Sequence, residues 1–338
     1  NERDAILATQ DAPRLNTPDW LWTRWIAHYG EESARAIAAA HMVEPALDLS
    51  LNPLVSSPPP ERGRSGEAGV GVSQEPHAGD VPPLLRASSP FQGEESGAVI
   101  LSNGTLRLAP GGAIEILPGF AEGAWWVQDA AAALPAQLLG DVRGFAVLDL
   151  CAAPGGKTAQ LCAAGARVTA VDQSESRMDR LRINLKRLNF EAETIVADAT
   201  AWDPGQTFDA ILLDAPCSAT GTIRRHPDIP HLKSAADIAA LAGLQRRLLA
   251  HAASLLRPGG TLVFSTCSLE PEEGEAQTAA ALADLPLDPY PIPASETAGL
   301  GHPAGDGGAI RTLPSDLPHE NPVFGGLAGF YIARYRRR

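Results

Sequence analysis

Four aspartates and two cysteines stand where this chain could do chemistry. Asp149, Asp172, Asp198 and Asp214 each end, or closely follow, a short apolar run of strand character. One such aspartate is ordinarily a turn residue. Four at the ends of successive strands outline one ligand crevice. After the first comes Cys151-Ala152-Ala153-Pro154-Gly155-Gly156-Lys157-Thr158. Small residues between strand and helix let a ligand approach backbone N–H groups, and the next helix presents its N-terminus there. Two nucleotide readings compete. A phosphate loop needs G-x-x-x-x-G-K-[ST]; Gly156-Lys157-Thr158 fits its end, but Cys151 stands where the first Gly belongs. The other is a dinucleotide-type or S-adenosyl-L-methionine site, with an acid after the next strand for the ribose hydroxyls. Asp172 occupies that place, and acidic walls suit a cationic sulfonium better than a triphosphate. A plain strand-to-helix turn without ligand is the bland alternative.

The two cysteines follow later strands. The fourth runs on as Asp214-Ala215-Pro216-Cys217-Ser218, the fifth as Ser265-Thr266-Cys267-Ser268. Enzymes that methylate exocyclic amines commonly carry an aromatic ring where Cys217 stands. A lone cysteine is usually a small buried hydrophobe, and Cys162 is assigned to that role. So is the Cys151 thiol, its backbone serving the ligand loop. Cys217 and Cys267 lie in polar, Pro- and Ser-containing loops at the active edge and are read as functional. Spacing alone does not decide which is the nucleophile.

Positioning these residues takes an α/β framework. Strand-like runs at 146–150, 168–171, 193–196, 210–213 and 261–265 alternate with helical stretches at 158–164, 176–188 and 235–256. That alternation implies a parallel sheet covered on both faces, with ligands at the carboxyl ends of its strands. A further helix is expected over 127–139. Residues 1–118 read as a small α+β accessory region and 119–338 as the catalytic domain. Within the first, 17–41 reads as two helices, with Thr17 as cap, Pro18 as first residue and a break at Gly30. Its tryptophans are a core stripe or a base-stacking surface. Short strands are expected at 99–101, 105–108 and 113–116. Residues 58–90 hold seven prolines, five glycines and no Phe, Trp or Tyr, a composition expected to remain disordered.

The totals exclude several classes. The formal net charge is −13, which rules out a basic coat protein but not a local basic site. Four cysteines with no C-x-x-C pair exclude a disulfide scaffold and make a cysteine zinc site unexpected. No metal is expected. No apolar run approaches about 18 residues, and the charged N-terminus lacks a signal-peptide core. A cytoplasmic, non-membrane protein is expected, with nothing suggesting an obligate oligomer and a monomer as the default.

Residues 148–161, 214–228 and 265–275 resemble motifs I, IV and VI of the Nol–Nop–Sun RNA (cytosine-5) methyltransferases, most nearly the bacterial Sun/Fmu type that acts on small-subunit rRNA. Asp214-Ala215-Pro216-Cys217-Ser218, with Gly221 and Arg224-Arg225-His226-Pro227-Asp228, is the most specific segment. The resemblance covers 119–338 well and the helices near 20–40 weakly. It implies a Rossmann-like class I methyltransferase fold. It also implies a cofactor cradle from Cys151 to Lys157, with Asp172 on the ribose, Asp198 at the adenine edge and Asp214 near methyl donor and base. Cys267 would be the nucleophile and Cys217 would assist product release. Lys157 would contact the base or favour a nearby thiolate, or else be held in a salt bridge. Arg224, Arg225 and His226 are the expected RNA contacts, together with the terminal arginines 334–338. Five basic residues between Arg177 and Leu188 are an RNA face or a solvated helix surface. Related chains often carry an upstream NusB-like RNA-binding domain, and this chain is expected to begin after it. Ala328-Gly329-Phe330 replaces the usual Asp-Gly-Phe.

Overall fold

A computed structural model describes residues 9–56 and 98–338; the expected disordered insertion at 58–90 lies outside them. The N-terminal part begins with α1 (Ala12–Leu15) and α2 (Asp19–His41), which is broken at Gly30 (φ 80°, ψ 165°) as the sequence suggests. Thr17 does not cap α2. Pro18 occupies that position, and the Thr17 hydroxyl donates to the Pro13 carbonyl instead. The tryptophan stripe is core: Leu21, Trp25, Ala34 and Ile37 pack with Ile223, Ile229 and Leu269 from far along the chain.

β1 (Leu47–Leu51) is followed by the single turn α3 (Pro53–Ser56). With β2 (Val99–Ile100), β3 (Leu106–Leu108) and β4 (Trp125–Val127) it forms an antiparallel sheet in the order β2-β3-β1-β4. Its last strand comes from beyond residue 118. Residues 114–116 form a 3-10 turn rather than a strand; a short Ile-Glu-Ile alternation does not specify a strand unless a partner edge meets it. α4 (Ala130–Gln137) starts later than position 127 because β4 uses those residues. Asp129 then caps the helix, its carboxylate accepting from the Ala131 N–H.

The alternating half follows. β5 (Ala146–Leu150), α5 (Gly156–Ala163), β6 (Arg167–Asp172), α6 (Glu175–Leu188) and β7 (Glu193–Val196) come first. β8 (Phe208–Asp214), α7 (Ile229–Leu232), α8 (Ala235–Leu255) and β9 (Leu256–Thr266) complete it. The strands lie parallel in the order β7-β6-β5-β8-β9. The chain leaves β5 toward one side and returns on the other, so a crevice opens at the carboxyl end of β5. Ser234 and Asp237 form a capping box at the start of α8.

The sheet then continues in the opposite sense. After α9 (Glu275–Asp284) come β10 (Leu287–Pro289), β11 (His302–Ala304), β12 (Ala309–Thr312) and β13 (Phe330–Arg337). β13 pairs antiparallel with β9, β12 with β13 and β11 with β12, while β10 pairs with β13. This corrects the reading of Arg334 as a free RNA contact, whereas Arg336 and Arg338 are exposed. Residues 334–337 lie within β13, and Arg334 is buried, its guanidinium bonded to Glu296 and to the carbonyls of Leu138, Tyr290 and Pro291.

The small sheet is tied to the segment before β13 through Arg107. This buried guanidinium grips Asp48 at 2.7 and 2.8 Å and donates to the Phe324 and Gly326 carbonyls at 2.9 Å. Removing it leaves a buried carboxylate without its counter-ion, so Arg107→Ala should cost about 3–5 kcal/mol. Arg182→Ala, at an exposed pair with Glu175 and Asp179, should cost under about 1 kcal/mol. Urea denaturation of the two variants checks the contrast.

Candidate active site

The carboxyl ends of β5, β6, β8 and β9 converge on one crevice. At β5, Asp149 is buried and accepts from the Thr158 hydroxyl at 2.6 Å, linking the strand to α5. Among the described residues its Oδ1 has no partner. Burial pushes this carboxyl up to about 7, against the lowering effect of the Thr158 hydrogen bond. The loop 151–155 then turns with Cys151 at φ 61° and Gly155 at φ 103°. A Cβ on Gly155 would stand 2.7 Å from Leu181 Cγ, so only glycine lets the loop lie this close to α6.

Asp172, at the end of β6, is buried. Its Oδ2 accepts from the Ala153 N–H at 3.2 Å and its Oδ1 from the Ser174 N–H at 2.9 Å. The Arg177 guanidinium donates to the Ala153 carbonyl and lies 3.8 Å from Asp172. Loop and aspartate therefore form one unit. Asp198 is exposed and bonded to Thr200 through its Oδ1. Asp149, Asp172 and Asp214 lie close enough to act on one another electrostatically, whereas Asp198, beyond the edge strand β7, interacts with Thr200, Arg247 and His251.

β8 and β9 bring the remaining groups together. Asp214 accepts from the Ser265 hydroxyl and from Lys157 Nζ, each at 2.8 Å. Lys157 Nζ also lies 5.1 Å from the centre of the Phe330 ring. The salt-bridge alternative for Lys157 is therefore realised inside the crevice. Cys217 Sγ and Cys267 Sγ are 3.4 Å apart, both half-buried and both free. The hydrogen bond to Cys267, then burial, raise the Cys217 thiol well above its ordinary value. The Cys217 and Cys267 loops are tied by Gly221 N–H to the Cys267 carbonyl at 3.0 Å. A Cβ on Gly221 would lie 2.0 Å from the Gly329 carbonyl oxygen, so this contact requires glycine. Cys151 and Cys162 pack against apolar clusters, and burial raises both thiols.

Several expected RNA contacts are occupied inside the chain. Arg224 donates to the carbonyls of Val43, Glu44 and Gly325; Arg225 pairs with Asp129 at 2.8 Å and donates to Ala46. Their guanidinium donors hold the N-terminal segment in place rather than facing solvent, and only His226 of the three is exposed. In α6, Arg177, Arg182 and Arg187 are likewise bonded within the chain, whereas Arg180 and Lys186 are exposed.

The site also contains residues not singled out from sequence. Glu270 is buried and takes Arg24 and the Trp25 indole N–H; Tyr29 donates to the Leu269 carbonyl. Glu273 is buried beneath the two cysteine loops. Both glutamates lie within the acidic run after Cys267, which was legible as a motif but not as a set of contacts.

The family description "16S rRNA methyltransferase RsmB/F" matches residues 136–336. The chain belongs to the RsmB/F family. It is 40% identical over 293 residues to ribosomal RNA small subunit methyltransferase B of Sodalis glossinidius, covering 84% of this chain and 62% of that protein. It is 36% identical over 333 residues to the protein of that name from Pasteurella multocida, covering 95% and 65%. The chain thus spans less than two thirds of these relatives' length. A crystal structure titled as a methyltransferase homolog from Pyrococcus horikoshii superposes with TM-score 0.74 at 28% identity, covering 97% of this chain and 98% of that one. The RsmB/F chain accordingly has the class I methyltransferase fold expected from sequence, extended by the antiparallel strands β10–β13. Among the described residues no helix is long and apolar enough to cross a membrane.

Asp149 generates a pH prediction. Its folded pKa, about 7, lies above the 3.8 of an ordinary aspartate. The folded state therefore holds a proton that the unfolded chain releases, and this contribution to stability falls as pH rises through that window. Asp149→Asn removes the titration. It should gain about 2–4 kcal/mol relative to wild type between pH 4 and pH 8, measured as urea-unfolding free energies.

Proposed function

We propose that this chain methylates carbon 5 of a cytosine in RNA, in small-subunit rRNA, using S-adenosyl-L-methionine and a covalent cysteine adduct. The observation that carries the reading is the pair of free thiols 3.4 Å apart at adjacent strand ends, next to the Asp214–Lys157 pair. The names of the relatives support rRNA as the substrate class.

The crevice suits the cofactor on its own chemistry. The loop 151–157 places small residues ahead of α5, with Pro154 exposed, and Asp172 is anchored to that loop by the Ala153 N–H. In this reading Cys151, Ala152, Ala153, Pro154, Gly155, Gly156 and Lys157 line the methionine part. Asp172 takes the ribose hydroxyls, Asp198 the adenine edge, and Asp214 borders the methyl donor. Bound there, the cofactor supplies an electrophilic methyl group.

The chain's own residues do the rest. Carbon 5 of cytosine is a poor nucleophile. Attack of the Cys267 thiolate on carbon 6 forms a C–S bond and moves the ring electrons toward carbon 5 and nitrogen 3. Asp214, oriented by Ser265 and Lys157, hydrogen-bonds the base edge and favours that addition. After methylation the carbon-5 proton must leave and the C–S bond must break. Cys217, beside the departing sulfur, assists this elimination. The base must be unpaired or extruded to reach the thiols. With a net charge of −13 and many arginines bonded internally, phosphate contacts fall to a few exposed residues such as His226.

Incubation with tritiated methyl donor and rRNA, followed by digestion to nucleosides, should put the label in 5-methylcytidine. Label only in another nucleoside would sink the reading. Cys267→Ala should lower turnover at least about a thousandfold, whereas Cys217→Ala should accumulate a protein–RNA adduct stable on a denaturing gel. Full turnover by Cys267→Ala would remove it as nucleophile.

A further inference from the structure

Each thiol is followed directly by a serine, and one buried carboxylate binds both. Glu273 lies in the turn after β9 and is completely buried. Ser218 offers its N–H to both carboxylate oxygens, at 2.9 and 3.1 Å, and its hydroxyl to Oε2. Ser268 donates its hydroxyl to Oε2 at 2.6 Å, and Gln245 Nε2 donates to Oε1 at 3.1 Å. The two serine hydroxyls are 3.0 Å apart. The Glu273 carbonyl also accepts from the Thr266 hydroxyl at 3.0 Å. Among the described residues Glu273 has no ion-pair partner.

A buried carboxylate without a cation is an expensive way to stabilise a fold; apolar packing of similar volume does it as well or better. What the carboxylate supplies instead is geometry. Every polar neighbour donates to it, and the donors come from three separate segments: the Cys217 loop, the Cys267 loop and α8. We propose that Glu273 is the positioning residue that clips the Cys217 and Cys267 loops together and sets the distance between the two sulfurs. This rests on the thiol pair being the reacting centre. Its negative charge adds to the effects of Cys267 and burial in keeping the Cys217 thiol protonated, so that Cys217 remains a hydrogen-bond donor beside Cys267.

Two readouts separate positioning from mere support of the fold. The first needs no cofactor or RNA. A diazene-dicarboxamide oxidant accepts two electrons and two protons from neighbouring thiols, leaving a disulfide and the corresponding hydrazine. With sulfurs 3.4 Å apart, wild type should close the Cys217–Cys267 bond rapidly, mapped by peptide mass. Glu273→Gln, isosteric but uncharged, should close it at least about tenfold more slowly. The second readout is kinetic: kcat should fall about a hundredfold, the scale of a 1 Å misplacement, with KM for RNA and cofactor unchanged. Wild-type rates of both cross-linking and turnover in Glu273→Gln would overturn the proposal. If thermal melting shows that Glu273→Gln does not fold, Ser268→Ala, which removes one donor and no charge, must show slowed cross-linking. An unchanged rate there would overturn the proposal equally. Slowed cross-linking in a protein whose wild type makes no 5-methylcytidine would uphold the clip and sink the assigned reaction.

Discussion

The parallel pairing of β8 with β9 is the constraint on which the site depends. In its register Asp214 stands opposite Ser265, and their side chains bond at 2.8 Å. Three residues beyond Asp214 comes Cys217; two beyond Ser265 comes Cys267. A slip of one residue would turn every side chain of a strand to the other face and part the sulfurs. The register is protected from below by a core that includes Ile211, Leu213, Leu262 and Phe264. It is protected from above by hydrogen bonds that cross between the two loops.

The N-terminal half is part of this machinery rather than an appended unit. Arg24 and Trp25 hold Glu270, and Tyr29 holds the Leu269 carbonyl. Arg225 reaches from the Cys217 loop to Asp129, while Arg107 joins Asp48 to the segment before β13. The acidic balance of the chain thus conceals an internal economy of charge. Arginines that look available for RNA are bonded to backbone carbonyls and carboxylates, because a guanidinium can satisfy several fixed acceptors at once.

The strand-end aspartates show how far one residue type can diverge by environment. Asp149 is buried with one oxygen unpartnered among the described residues, and its carboxyl is pushed up to about 7. Asp172 is bound by two backbone N–H groups, Asp214 by an ammonium and a hydroxyl, and Asp198 stands in solvent and is lowered by its bonds to Thr200. Desolvation and local donors, not sequence position, separate these four cases.

Local pattern determined much of this protein. Apolar runs of strand length located β5 to β9, and the small residues after β5 marked the ligand loop. Types and spacing alone singled out Asp214, Cys217 and Cys267. The Leu47-Asp48-Leu49-Ser50-Leu51 alternation carries a strand signal for β1, but the pattern did not reveal its partners or the antiparallel edge ending in β13. Those elements exist because a partner edge completes their hydrogen bonding. Likewise Glu273 meets Ser218 across 55 residues of chain and Arg24 meets Glu270 across 246. Sequence periodicity reports the face a residue presents within its own element. Which donor it then meets, and whether water is excluded around them, is set by packing, and so only the tertiary structure decided it.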